Sequence, residues 1–428
     1  YEKALRSLTA DGYKRALVRL AAEGFIDDCE RRNEGTGQRR APTKIWLKAF
    51  SQQFTDASFS ADEEPVLTKQ FCHGIAKNLL NDNCDYCLNV LRGSTATTLQ
   101  DWTRLNLMGR AEVDQAWKAR GSGYANTVSR EGWRGFFEHL AEARRDLVNS
   151  WKLNPNRPEA AAKMIEVVMG EKDPHGESER LWFDRSIAAQ FDFHEAYSNL
   201  MWAYRPRWYG SLKALMSFGQ QCAATNRFDT SVPLNLLYAA RSLGQEIEDK
   251  PKVFRNPTIA TELSHLFAEY ESQKPLPFPR AYLYGLHAYT VYQAGDFTRA
   301  YELLRDIGFE IDPELMSEMD PAVAPVTFLE EVAARGGPAA QSTEAGDRAL
   351  RDGKVEAAAV SYEEALQACG NEPHAMHYLK SKLASMRFQR ELGSGRWVSL
   401  NPALAEGLTG WSTVLGAWRI DADGSLIG

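Results

Sequence analysis

Between Glu179 and Ser211 the chain reads ERLWFDRSIAAQFDFHEAYSNLMWAYRPRWYGS, with apolar residues recurring every 3 to 4 positions on both sides of a short break. Trp182, Phe183, Ile187 and Phe191 mark a first run, and Ala196, Tyr197, Leu200, Met201 and Tyr204 a second. A period near that of the α-helix, interrupted by a turn, predicts two helices packed together as a hairpin. Pro206 disfavours helical geometry at Arg205 and so ends the second helix. Gly210 permits a tight turn, and Ser211 is placed to cap a further helix over 212–221. Such a hairpin defines an architecture and carries no chemistry of its own.

The same spacing runs through most of the chain. Residues 1–33 read as two helices, through Tyr1, Leu5 and Leu8 and then through Tyr13, Leu17, Leu20 and Ala21. A short helix is expected over 45–54, and Phe71, Ile75 and Leu79 form one face of another. Separate helices are expected over 99–107 and 111–118, followed by a long one through Trp133, Phe136, Phe137, Leu140, Ala143, Leu147 and Trp151. The segment Leu153-Asn154-Pro155-Asn156-Arg157-Pro158 closes it, and another helix begins over 159–169, as at a junction between helical repeats. Further helices are expected over 232–243, 260–271 and 378–392.

Composition narrows the functional classes. Of 428 residues, 44% are hydrophobic and 25% charged, and the net charge of −7 is spread along the chain, which argues against a dedicated nucleic-acid binder. Arg31, Arg32, Arg39 and Arg40 read as a solvated basic loop. No apolar run approaches the ~18 residues of a membrane span. Both ends read as edges of a longer protein. Six cysteines, Cys29, Cys72, Cys84, Cys87, Cys222 and Cys369, are too few for a disulfide framework at this length.

Residues 281–307 and 345–366 show a more regular plan. In the first, Ala294-Gly295-Asp296-Phe297 forms a turn before Ala300 and Leu304; in the second, Gly346, Gly353, Ala358, Tyr362 and Ala365 alternate small and aromatic. These positions resemble the tetratricopeptide repeat, in which small residues let two helices cross closely and an aromatic fills the gap to the next repeat. The turn Pro206-Arg207-Trp208-Tyr209-Gly210-Ser211, with the helices around it over 100–240, resembles an uncharacterised bacterial family of helical-repeat domains carrying a Pro-Arg-Trp-x-Gly-Ser turn. That resemblance implies a fold and no activity. From Trp411 the chain reads WSTVLGAWRIDADGSLIG, with a turn at 422–425 between short strands, which resembles the opening hairpin of a concanavalin-like (laminin-G-like) β-sandwich. Completing such a sandwich takes roughly 150 further residues.

Candidate chemistry is sparse. Cys84-Asp85-Tyr86-Cys87 is a CxxC, with Cys72 and His73 twelve residues upstream. Cys72, Cys84 and Cys87 are ligand types suited to zinc or to a redox pair, yet no second CxxC completes a tetrahedral set, and plain helix cysteines are the favoured reading. His374 and His377 lack a carboxylate at matching spacing, and His194-Glu195 begins an HExxH that fails at Ser198. No phosphate-binding glycine loop or nucleophile elbow occurs, and no cofactor is implied.

The aromatic cluster admits two readings. Trp182, Trp202, Trp208, Tyr197, Tyr204 and Tyr209 either pack repeats together or line a groove edged by Arg205 and Arg207 that grips a peptide or sugar. Solvent exposure of Arg207 beside Trp208 favours the groove. The candidate binding residues are accordingly Tyr204, Arg205, Arg207, Trp208 and Tyr209.

The expected fold is all-α: a tetratricopeptide-like α-solenoid of helical hairpins with a truncated β-hairpin at its C-terminus. Its parts are the end of a preceding repeat (1–60), a helical-repeat domain (61–330), a linker (331–344), a tetratricopeptide repeat with a following helix (345–392), and a linker with the start of a β-sandwich (393–428). The expected function is a non-enzymatic scaffold holding a protein or peptide segment, with no nucleic acid or membrane span. The alternative is the accessory region of a glycan-binding or glycan-active protein.

Overall fold

The computed structural model describes residues 84–93, 101–171, 175–311, 315, 323–393, 419–420 and 426–427. Among them sixteen bounded helices pack against one another, an all-α arrangement compatible with helical repeats. No helix among the described residues is long and apolar enough to cross a membrane. The chain divides into two compact units, 1–218 and 219–428.

The described helices of the first unit are α1 (Cys84–Gly93), α2 (Asp101–Arg120), α3 (Arg130–Leu153), α4 (Glu159–Glu171), α5 (Glu179–Ala189), α6 (His194–Ala203) and α7 (Leu212–Ala223), the last crossing the boundary. Packing is chiefly between neighbours: α2 on α3, α3 on α4, and α4 on both α5 and α6. Leu107, Ala111, Phe136, Leu140, Leu147, Ile165 and Val168 are fully buried in this unit. Serines open the helices as their side chains dictate. The Oγ atoms of Ser129, Ser178 and Ser211 accept from the backbone N–H groups of Gly132, Leu181 and Ala214 at 3.0, 3.2 and 3.0 Å.

One expectation is corrected here: 99–107 and 111–118 are not separate helices, because α2 runs unbroken over Asp101–Arg120. Gly109 sits where α3 crosses it, and a Cβ there would stand 2.5 Å from Leu147 Cγ. The glycine serves close packing and ends nothing.

A second fixed point of this unit is polar. Arg110 of α2 donates from Nη1 and Nη2 to the two carboxylate oxygens of Glu195 on α6, at 2.8 and 2.7 Å, and from Nη2 to the Glu159 carbonyl at the start of α4, at 3.0 Å. The pair is well buried and ties three helices in one register.

The second unit holds α8 (Asn235–Glu246), α9 (Lys250–Phe254), α10 (Pro257–Ser272), α11 (Arg280–Ala294), α12 (Phe297–Asp306), α13 (Pro325–Gly336), α14 (Ala340–Arg351), α15 (Val355–Ala368) and α16 (Pro373–Gly393). The hairpin α14–α15 shows why its small and aromatic residues recur. The Tyr362 ring lies against Gly346, where an added Cβ would meet ring carbons at 2.7 to 3.0 Å, and Ala358 and Ala365 are fully buried. Gly353 differs from the others: it takes φ +73 in the turn and faces open space. Residues 331–344 carry the end of α13, a short junction and the start of α14.

A polar chain links four helices of this unit. Tyr292 of α11 donates to Glu331 of α13 at 2.7 Å, Arg335 of α13 donates to Glu331 at 2.6 Å and pairs with Asp347 of α14 at 3.1 Å, and Tyr362 of α15 donates to Asp347 at 2.6 Å. Burial, reinforced by the bonds to carboxylates, pushes both phenols well above their ordinary pKa.

The only extended structure among the described residues is a two-residue antiparallel pair, Arg419–Ile420 with Leu426–Ile427. The expected turn at 422–425 and the remaining tail lie outside the described residues, as do residues 1–83 with their expected helices and basic loop.

Candidate functional site

Residues 198–209 help to line a concavity of the first unit, a groove of about 1530 Å³. Its lining comes from five places: Trp117, Lys118 and Arg120 at the end of α2, the following loop 121–125, Trp133, Phe136 and Phe137 early in α3, the last turns of α4, and α6 with the turn beyond it. Rings predominate, and they pack edge to face where their quadrupoles favour it. Trp117 meets Phe136 at 4.9 Å and Trp208 at 5.2 Å, both edge-on, while Trp133 stacks on Phe137 at 5.7 Å. Arg120 stands among three of these rings, with Cζ 5.4 Å from the centroids of Trp133 and Trp208 and 5.7 Å from that of Trp117. Its Nη1 donates to the carbonyls of Gly121 and Gly123, each at 3.1 Å, pinning the loop.

The turn after α6 is built differently from expectation. Pro206–Trp208 forms one turn of 3-10 helix, and Tyr209, not Gly210, takes the left-handed backbone at φ 69. Gly210 is required for space, since a Cβ would lie 2.1 Å from the Tyr204 carbonyl oxygen. The left-handed residue presents an exposed ring to the groove: Tyr209 is 72% accessible, beside Trp202 at 40% and Phe137 at 47%.

Of the five candidate binding residues, Arg207, Trp208 and Tyr209 line the groove, and Arg207 is exposed beside half-buried Trp208. Tyr204 and Arg205 do not line it. Tyr204 turns its half-buried ring edge-on to Phe218 at 5.7 Å, and Arg205 lies over Trp202 at 4.4 Å, backing that ring. Within the wider aromatic cluster the two readings divide the residues: Trp182 and Tyr197 are core, whereas Trp202 and Tyr209 are surface.

Sequence reasoning missed Trp117, Arg120, Trp133, Phe136 and Phe137 as groove residues. The adjacent Phe136-Phe137 pair held a signal: neighbours on a helix cannot both face the core, and Phe137 is the one left out. Among the described residues, two buried donors in this wall, Trp208 Nε1 and Arg120 Nε, meet no protein acceptor.

The remaining candidates fall elsewhere. Cys84 and Cys87 lie on α1, but their side chains, and Cys72 altogether, are outside the described residues. His377 pairs with Glu330 at 2.6 Å, His374 stacks on Phe309 at 5.3 Å, and Glu195 is the partner of Arg110. A smaller cavity of about 630 Å³ in the second unit is lined by Tyr292, Glu331, Arg335 and neighbouring polar residues, with its Arg335 neutralised by Glu331 and Asp347.

Fold and groove together define an all-α protein of packed helices with an aromatic, cation-bearing cleft in its first unit. Comparison with protein-family models, curated proteins and solved structures gives no match.

Proposed function

We propose that the helices form a tetratricopeptide-like solenoid acting as a non-enzymatic interaction scaffold, with a partner protein segment held in the groove of the first unit. The observation that carries this reading is the gathering of exposed rings in one cleft: Trp202, Phe137 and Tyr209, with Tyr124 of the loop, 85% accessible, at its side. Rigid aromatics contribute large contact areas at low conformational cost and dominate binding energy where proteins meet. The groove exceeds the ~300–1,000 Å³ typical of small-molecule pockets, and a peptide segment suits that volume better than a compact metabolite.

Selection from a displayed library of random linear dodecapeptides tests the reading. Enriched peptides are expected to lose at least about tenfold in affinity on Trp202→Ala and on Tyr209→Ala, with helicity unchanged by circular dichroism. Failure to enrich any peptide, or binding indifferent to both substitutions, overturns it. The same exposed rings also suit the faces of sugars, which keeps the glycan-associated reading as the alternative; an oligosaccharide panel titrated against the same variants separates the two.

A further inference from the structure

Resting on that reading, we infer that the segment is acidic: an extended peptide whose large apolar side chain seats against the aromatic floor while flanking carboxylates meet the cationic rim. The groove lining carries Lys118, Arg120 and Arg207 against one carboxylate, Glu166. Glu166 already has a counter-ion, because Lys163 Nζ lies 3.0 Å from each of its oxygens. Among the described residues, the lining therefore has no acidic group left over for Lys118 and Arg120.

Arg120 makes the point most directly. Its hydrogen bonds go to backbone carbonyls, and its guanidinium is surrounded by indole rings, so no carboxylate among the described residues neutralises it. Lys118 is exposed and has no ion-pair partner among the described residues. Both lie in the last turn of α2, where the helix dipole favours cations. That accounts for basic residues at a helix end, but not for three tryptophans gathered round one of them. Arg207 rides the exposed turn next to Trp208, 5.8 Å from the Trp202 centroid. The smaller cavity of the second unit provides a contrast, since its Arg335 is matched by acidic groups of its own chain. A ligand bearing carboxylates completes the first groove, whereas a basic one meets like charge in a partly desolvated setting.

The test is fluorescence anisotropy on the whole chain with three labelled dodecapeptides: a central tryptophan flanked by glutamates, the same anchor flanked by lysines, and the glutamate peptide with serine as anchor. The first is expected to bind at least about tenfold tighter than either other, and to weaken several-fold as salt rises. Charge reversal by Lys118→Glu with Arg207→Glu should invert the preference, so that the lysine peptide gains affinity. Loss of folding cannot imitate that gain. Equal binding of acidic and basic peptides, with both lost on Trp202→Ala, removes the acidic preference and leaves the groove intact. Binding of all three unaffected by Trp202→Ala removes the groove as well.

Discussion

At Tyr209 a bulky side chain occupies backbone geometry suited to glycine, with φ at 69. For a residue bearing a Cβ this conformation costs roughly 1–2 kcal/mol, and such strain persists where the side chain is wanted for another purpose. Tyr209→Gly relieves it, partly offset by the greater freedom of glycine in the unfolded chain. The expected result is a melting temperature equal to or above that of the parent, together with at least about tenfold weaker peptide binding; a drop in both would make Tyr209 a structural residue. Elsewhere a single carboxyl reports on pH. The hydrogen bond from His287, at 2.7 Å, holds Glu271 below the usual carboxylate range. A carboxyl whose pKa is depressed in the folded state stabilises fully above its unfolded value, near 4.3 for glutamate, and that stability is lost as pH falls through the folded value. The gap in urea midpoint between parent and Glu271→Gln should therefore be widest near neutrality and close as the solution is acidified below pH ~4. A constant gap across the range would assign the effect to packing.

Among the helices, the buried contact between Arg110 and Glu195 is the most exposed to mutation. Glu195→Ala leaves a guanidinium without its carboxylate in a nearly inaccessible site, a loss expected to cost about 3–5 kcal/mol. Arg110→Met combined with Glu195→Leu should recover much of that in denaturant melts, because no charge is then left stranded. The same two residues show where sequence reading stops. Helical period located most elements well: the run from Trp133 to Trp151 lies within α3, and the residues through Gly346 and Tyr362 fall on a hairpin whose ring-on-glycine contact their types imply. The break expected between 107 and 111 is absent: Gly109, which lies there, is a crossing point against Leu147, a tertiary contact that the local pattern does not show. The groove was half legible. Arg207, Trp208 and Tyr209 share one turn, but Trp117 and Arg120 reach them only because α2 ends beside that turn, a tertiary fact with no local signature.

Among the described helices, most packing joins each to those next to it in the chain, as along α2–α3–α4 and α14–α15–α16. Stability in such an arrangement accumulates from local interfaces. Gly346→Val, which drives methyl groups into the Tyr362 ring, should raise amide hydrogen exchange in α14, α15 and α16 while leaving protection of α2, α3 and α4 as it was. Uniform loss of protection would instead mark a single cooperative body. The chain of polar groups from Tyr292 through Glu331, Arg335 and Asp347 to Tyr362 bears on how such a protein can change over time. A helical pair cut out and pasted into another register would carry one half of a charge match and abandon the other, so duplication or reordering is penalised at α13–α15 unless both sides travel together. The hairpin α14–α15 looks interchangeable in outline, yet these bonds key it to α13 and, through α13, to α11.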